Sequence, residues 1–195
     1  RWRRWVIGAG FPASLGLALL ATTMPAWGWL VALGALLLLY PHHAWRDAPL
    51  FPTPAGALDG LASIAPLAPG AHVLDAGCGM GDGLIALRRA YATAHLEGTE
   101  WSWPLVALAR LRCRDARVRR GDLWADGWSR YDLVYLFQRP ESMSRAAEKA
   151  LRELRPGGWL VSLEFAVPGW RPHRVLPGAS GRAVHVYRMP ERGAP

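Results

Sequence analysis

Residues Ala71-His-Val-Leu-Asp-Ala-Gly-Cys-Gly-Met-Gly-Asp82 constrain this chain more than any other stretch. An apolar run reads as a strand, Asp75 follows near its end, glycines come at 77, 79 and 81, and a helix is expected from Gly83 to Tyr91. Glycine at a strand-to-helix turn lets the backbone approach a ligand closely, because no Cβ intervenes. The helix N-terminus behind the turn offers free N–H groups to anionic or polar ligand atoms. Such a turn points to an α/β unit, but phosphate and dinucleotide sites share it.

The acids downstream narrow the choice. His95–Glu100 reads as the next strand and ends in Glu100, 25 residues after Asp75. An acid at that tip commonly binds a ribose diol, which also suits a nicotinamide cofactor. A third strand, Ala116–Arg120, runs into Gly121-Asp122-Leu123-Trp124. An acid followed by an apolar side chain there suits an adenine amino group bonded at one edge and packed on its face. Taken singly, Glu100 and Asp122 also read as solvated strand-end acids. Strands near 71–76, 95–100, 116–120, 131–137, 159–165 and 183–188 alternate with helical stretches. That alternation predicts an α/β, doubly wound Rossmann-like sheet with its ligand at the strand C-termini. Arg171 to Ser180 reads equally as a weak strand or a loop.

The order Asp-x-Gly-x-Gly-x-Gly, then Glu, then Gly-Asp-Leu, then Leu154-Arg-Pro-Gly-Gly-Trp-Leu-Val-Ser162 resembles the class I methyltransferases. The resemblance implies S-adenosylmethionine as cofactor and an antiparallel last strand. It implies cofactor-binding roles for Asp75, Gly77, Cys78, Gly79, Gly81, Glu100, Trp101, Asp122 and Leu123.

From Trp5 to Pro41 there is no charged residue. As one helix this run would reach roughly 55 Å, nearly twice the ~30 Å hydrocarbon core of a bilayer. Two transmembrane helices, at about 5–22 and 26–40, are therefore expected, with Thr23-Met24-Pro25 as the turn between them. Small residues at Gly8, Ala13, Gly16, Gly28 and Gly34 would let the pair approach closely. A signal peptide is the rival reading, but the apolar region is much longer than such a core. Arg1, Arg3 and Arg4 precede the hairpin and His42, His43 and Arg46 follow it, so both ends and the catalytic domain are expected in the cytoplasm. The expected organisation is a membrane hairpin at 1–43, a proline-rich connector at 44–56 and the cofactor domain at 57–195. Pro49, Pro52 and Pro54 stiffen the connector, which reads as a lid over the site or as a spacer, with a helix beginning after Pro54.

Net charge is +8, and Lys149 is the only lysine. The arginines are spread over helices and strand ends, which favours anionic lipid head groups over nucleic acid as partner. Cys78 and Cys113 show no metal-ligand spacing, and no metal is expected.

A narrower resemblance rests on Glu100-Trp-Ser-Trp-Pro-Leu-Val-Ala-Leu-Ala-Arg110, on Gly121–Trp124, on Phe165-Ala-Val-Pro-Gly-Trp-Arg-Pro172 with His185-Val-Tyr187, and on Phe51-Pro52. Together, over roughly residues 50 to 190, these resemble membrane-associated protein lysine methyltransferases, including those of the ATP synthase c-subunit and the adenine nucleotide translocase. The chain departs from that pattern at Met80, at Leu136-Phe-Gln-Arg-Pro140 and in its two proposed membrane segments. A lysine acceptor must lose its proton, which at pH 7 costs about 4.6 kcal/mol from a reference pKa near 10.4. Desolvation in an aromatic slot lowers that cost. Phe51, Trp101, Trp103, Tyr135, Phe137 and Trp170 are available for such a slot, and each alone also reads as core or interfacial packing. Gln138 is the expected polar contact for the amine and Glu164 a charge partner; with Phe51 and Trp170 they form the candidate catalytic set. Two alternatives stay open: a lipophilic small-molecule acceptor such as a quinone precursor or lipid, and a non-enzymatic or aminopropyl-transferring relative. Aminopropyl transfer generally wants an acid where Gln138 stands.

Overall fold

The computed structural model describes residues 25–39, 51–178 and 181–191. The chain divides into two compact units, Arg1–Leu38 and Leu39–Pro195. Helix α1 spans Ala26–Leu39, 14 residues, and coincides with the second expected membrane segment. The expected segment at 5–22 lies outside the described residues. Fourteen residues rise only about 21 Å, and no helix among the described residues is long and apolar enough to cross a membrane. Trp27, Trp29, Leu30, Val31 and Leu33 are exposed on α1.

The larger unit is a seven-stranded sheet of order β3-β2-β1-β4-β5-β7-β6. Its strands are β1 (His72–Ala76), β2 (His95–Glu100), β3 (Arg117–Arg120), β4 (Leu133–Leu136), β5 (Trp159–Leu163), β6 (Arg174–Pro177) and β7 (Ala183–Arg188). β1 pairs in parallel with β2 and β4, β2 with β3, and β4 with β5. β7 runs antiparallel to both β5 and β6, in line with the family resemblance. β4 and β5 are buried along their whole length, the pattern of strands covered on both faces. Alternation sends Val73, Leu133 and Tyr135 to one core and Leu74, Val134 and Leu136 to the other. Helices α2 (Leu61–Ile64), α3 (Asp82–Ala90) and α4 (Trp103–Arg112) precede α5 (Met143–Glu153) in the chain. Helix α5 shows why it packs: Met143, Ala146, Ala147 and Ala150 form its buried stripe.

Three expected elements change. The helix predicted after Pro54 shrinks to Leu61–Ile64, because Gly60 sits at φ 83° and interrupts it; Leu58 and Leu61 are nevertheless buried. Strand β5 stops at Leu163, two residues short of the expected end, because Glu164 turns to φ 72°. The ambiguous segment 171–180 contains a strand, β6, whose partner β7 supplies the pairing that no local pattern announces.

Candidate active site

The strand order reverses between β1 and β4, and an open α/β sheet binds its ligand in the crevice at that point. The glycine turn leaves β1 there. The N–H groups of Gly77 and Cys78 both donate to the Thr99 carbonyl, at 2.9 and 3.0 Å, which ties the turn to β2. Gly77 has φ 88°, a conformation that disfavours a side chain. A Cβ added there would lie 2.5 Å from Gln138 Nε2 and 3.4 Å from Leu123 Cδ2. Three elements distant in sequence therefore meet over one glycine: the turn after β1, the loop after β3 and the end of β4.

Asp75 lies beneath this turn with its side chain buried, and its Oδ2 has no hydrogen-bond partner. Burial, with the nearby Glu100 and Asp82 carboxylates adding to it, pushes its carboxyl up to about 8 from an ordinary 3.8. The Leu84 backbone N–H opposes that rise. A Cβ on Gly83 would collide with Asp75 Oδ2. Glu100 joins two loops, accepting from the Gly79 N–H at 3.1 Å and the Ser102 N–H at 2.7 Å. Burial raises its carboxyl above the usual range, against those backbone donors. Asp122 accepts from the Trp124 N–H at 2.8 Å and so holds its own loop. Trp101 is largely exposed and stacks on the Arg120 guanidinium, 5.1 Å from the ring centre, with Trp103 at 5.3 Å from the same group. Cys78 is a free thiol buried under the turn, raised well above its ordinary pKa by that burial.

Gln138 is buried, with Nε2 3.5 Å from the Ala76 carbonyl and Oε1 without a partner. Nearby, Thr53 Oγ1 lies 2.9 Å from the Tyr135 hydroxyl, and Phe51 meets Phe137 at 6.1 Å between ring centres. The end of the connector thus lies along β4 toward its C-terminus. Glu164 pairs with Arg182, 2.9 Å between Oε2 and Nη1. Trp170 belongs elsewhere: it packs edge-on against Tyr187, 5.8 Å between centres, in the core on the face away from Phe137.

The expected cofactor set is brought together at the β1–β4 crevice, with Trp101 at its rim; the four expected acceptor residues are not, since Trp170 is on the other face. Sequence reasoning missed Gly83, Gly98, Thr53 and Arg182. Gly98 carried a signal, a glycine inside a strand, and a Cβ there would lie 2.8 Å from Cys78 Sγ and 2.9 Å from Leu84 Cδ1. Thr53 and Arg182 carried none, because their partners are 82 residues and 18 residues away.

The crevice offers two buried acceptors without donors, Asp75 Oδ2 and Gln138 Oε1, and a cradle that side chains would fill. These features fit a ligand carrying a cationic amine. Comparison with known proteins agrees with that chemistry. A family model, the ANTKMT methyltransferase domain, matches residues 75–174, about half of the chain. A protein-lysine N-methyltransferase of Saccharolobus islandicus is 27% identical over 144 residues, 71% of this chain and 89% of that protein. A lysine N-methyltransferase of the ATP synthase c-subunit, from Xenopus laevis, is 29% identical over 104 residues, 50% of this chain but only 46% of that protein. The RNA methyltransferase from Salinibacter ruber, solved with S-adenosyl-L-homocysteine, superposes with a TM-score of 0.66 at 26% identity, covering 74% of this chain and 97% of its own. The chain belongs to the ANTKMT methyltransferase domain family: it is a class I methyltransferase, and its cofactor is S-adenosylmethionine.

Proposed function

We propose that this enzyme is a membrane-associated protein-lysine N-methyltransferase. The observation that carries the acceptor chemistry is Gln138. Its Nε2 lies over the cofactor turn at Gly77 and faces the Ala76 carbonyl, which leaves Oε1 of the same amide as a buried acceptor without a donor. An amine brings the N–H that this oxygen lacks; a carboxylate or ether acceptor does not. Protein-lysine methyltransferases among its relatives support the same acceptor.

S-adenosylmethionine, when bound, supplies a methyl group on a positively charged sulfur. The residues here bind and position. Asp75 takes the cationic amino-acid end of the cofactor, which provides the opposite charge that its buried carboxyl lacks. Glu100, already oriented by two backbone donors, takes the ribose hydroxyls. Asp122 and Leu123 frame the adenine, Gly77, Cys78, Gly79 and Gly81 line the backbone cradle, and Trp101 covers the rim. Gln138 Oε1 accepts from the lysine amine and aims its lone pair at the methyl group. Alignment is the main catalytic contribution in such a displacement. The apolar surroundings of the acceptor favour the uncharged amine.

The charge-free run Trp5–Pro41, the exposed tryptophans of α1 and the net charge of +8 support membrane association. Radiolabelled S-adenosylmethionine incubated with the enzyme and membranes tests the acceptor. Label should appear in protein, on lysine after hydrolysis. Label found only in the lipid extract would overturn the reading in favour of a lipophilic small-molecule acceptor.

A further inference from the structure

Past the C-terminal end of β4, one cation, Arg182, already stands against two aromatic rings and a carboxylate. The Arg182 guanidinium lies 5.8 Å from the centre of the Phe51 ring and 5.5 Å from that of Phe137. The same group is ion-paired to Glu164, Nη1 to Oε2, at 2.9 Å. The two rings are tilted by 37° to each other, and the guanidinium lies over both. Two aromatic faces and one carboxylate are the groups that attract an ammonium ion. Phe137 is also the residue next to Gln138, whose amide sits on the cofactor turn.

Backbone geometry singles out the carboxylate. Among the described residues, Glu164 is the only non-glycine residue with positive φ, at 72°. Its N–H donates to the Ala183 carbonyl at 2.7 Å, so the bend after β5 is pinned to the start of β7. A residue held in that region costs free energy, and such costs gather at functional positions. The bend sets the Glu164 and Arg182 side chains together where β5 and β7 meet. Phe51 is placed by the neighbouring Thr53, anchored on the Tyr135 hydroxyl. Three segments remote in sequence thus surround the guanidinium of a fourth.

We propose that Phe51, Phe137 and Glu164 form the recognition slot for the charged amine of the acceptor, and that Arg182 fills it in the free enzyme as an internal, displaceable cation. This assignment rests on the amine-acceptor reading above. The incoming ammonium exchanges for the guanidinium, gaining the same two ring faces and the same carboxylate. Neutral side chains cannot make that exchange, so the slot selects a cationic chain. Arg182 is half-exposed and held by weak, solvent-screened contacts, so its displacement is easy. The ammonium gives up its proton to water at this solvent-accessible position, and the neutral amine then moves to Gln138, the residue after Phe137, where its lone pair is needed.

The test is binding of n-butylammonium to the full chain saturated with S-adenosylhomocysteine, measured by saturation-transfer NMR, with n-butanol as neutral control. Arg182→Gln removes the competing charge and should tighten n-butylammonium about 5–10-fold. Glu164→Gln and Phe137→Leu should each weaken it about fivefold, with n-butanol unaffected in all variants. Glu164→Gly, which relieves the positive φ, should weaken it like Glu164→Gln and shows that lost charge, not distorted backbone, is responsible. An unchanged affinity in Arg182→Gln, or wild-type affinity in both slot variants, overturns the proposal. Failure of the lysine reading looks different. There the label goes to lipid while the n-butylammonium results hold, and the slot then serves an amine-bearing lipid.

Discussion

At the residue scale, Asp75 shows how a binding site opposes the stability of its own protein. Its carboxyl, near 3.8 in an unfolded chain, is pushed to about 8 mainly by burial. A carboxyl raised on folding contributes stability that is complete below about pH 4 and is lost as pH rises through 8. Asp75→Asn should therefore raise the melting temperature of the cofactor-free protein at pH 8, by ~2–4 °C for each kcal/mol recovered. At pH 4 the two proteins should melt alike. The same change should weaken S-adenosylmethionine about 10–100-fold, the loss of one charge-assisted hydrogen bond, as measured by calorimetry. In the wild type, binding must ionise Asp75, so affinity should climb between pH 6 and 7.5 with release of a proton. Identical binding heats in buffers of different ionisation enthalpy would contradict this. Gly98→Ala gives a purely steric counterpart. Its Cβ would push on Cys78 and Leu84, and a cost of about 1–3 kcal/mol is expected by denaturant unfolding. Of these two residues Asp75 is legible in the sequence as the acid before the glycines. Its unpartnered oxygen is not, because whether a donor reaches it depends on residues at 82, 83, 84 and 100 folded around it.

At the element scale, α5 carries an instructive charge cluster. Lys149 is buried, donates to both oxygens of Glu153 at 2.8 and 2.7 Å, and lies 5.1 Å from the centre of the Trp128 ring. Glu153 also accepts from the Trp128 N–H at 3.0 Å. Burial alone would raise its carboxyl, but the hydrogen bonds from Lys149 and Trp128 outweigh it and hold the group below its ordinary value. A lowered carboxyl contributes stability above its unfolded pKa, near 4.5, and loses it as pH falls through the folded value. Glu153→Gln leaves a buried ammonium without its counter-charge and should cost about 3 kcal/mol at pH 7. That penalty should shrink below pH 4, as followed by thermal melts. The sequence pattern displays the Lys149–Glu153 spacing, four residues apart on one helix face. It cannot display Trp128, which reaches the pair from the loop before β4. Strand ends follow the same rule. The expected limits of β1 and β2 match the strands to within a residue, whereas β6 exists only through β7.

At the scale of the whole molecule, the question is how the apolar N-terminal run serves the enzyme. If it holds the catalytic unit at a membrane, the full chain should float with vesicles of anionic lipid in a density gradient. The head-group part of that association should weaken at high salt, since exposed arginines are screened within about 10 Å at 0.1 M. Vesicle binding insensitive to both lipid charge and salt would leave the apolar run as the whole attachment. Recovery of the protein entirely in the unbound fraction would remove membrane association altogether.

Local sequence alone set the reaction class. A strand, an acid, three glycines, a second acid 25 residues on and a Gly-Asp-Leu are signals whose chemistry needs no distant partner, and they lead to the cofactor that the family match and the solved relative support. Folding settled what stands opposite that cofactor. It laid Gln138 over Gly77, gathered Phe51, Phe137 and Glu164 around Arg182, and put Trp170 on the other face of the sheet. The physical reason is separation along the chain. A glycine turn specifies its own conformation through sterics, but a slot made from three segments exists only after the sheet has set their distances.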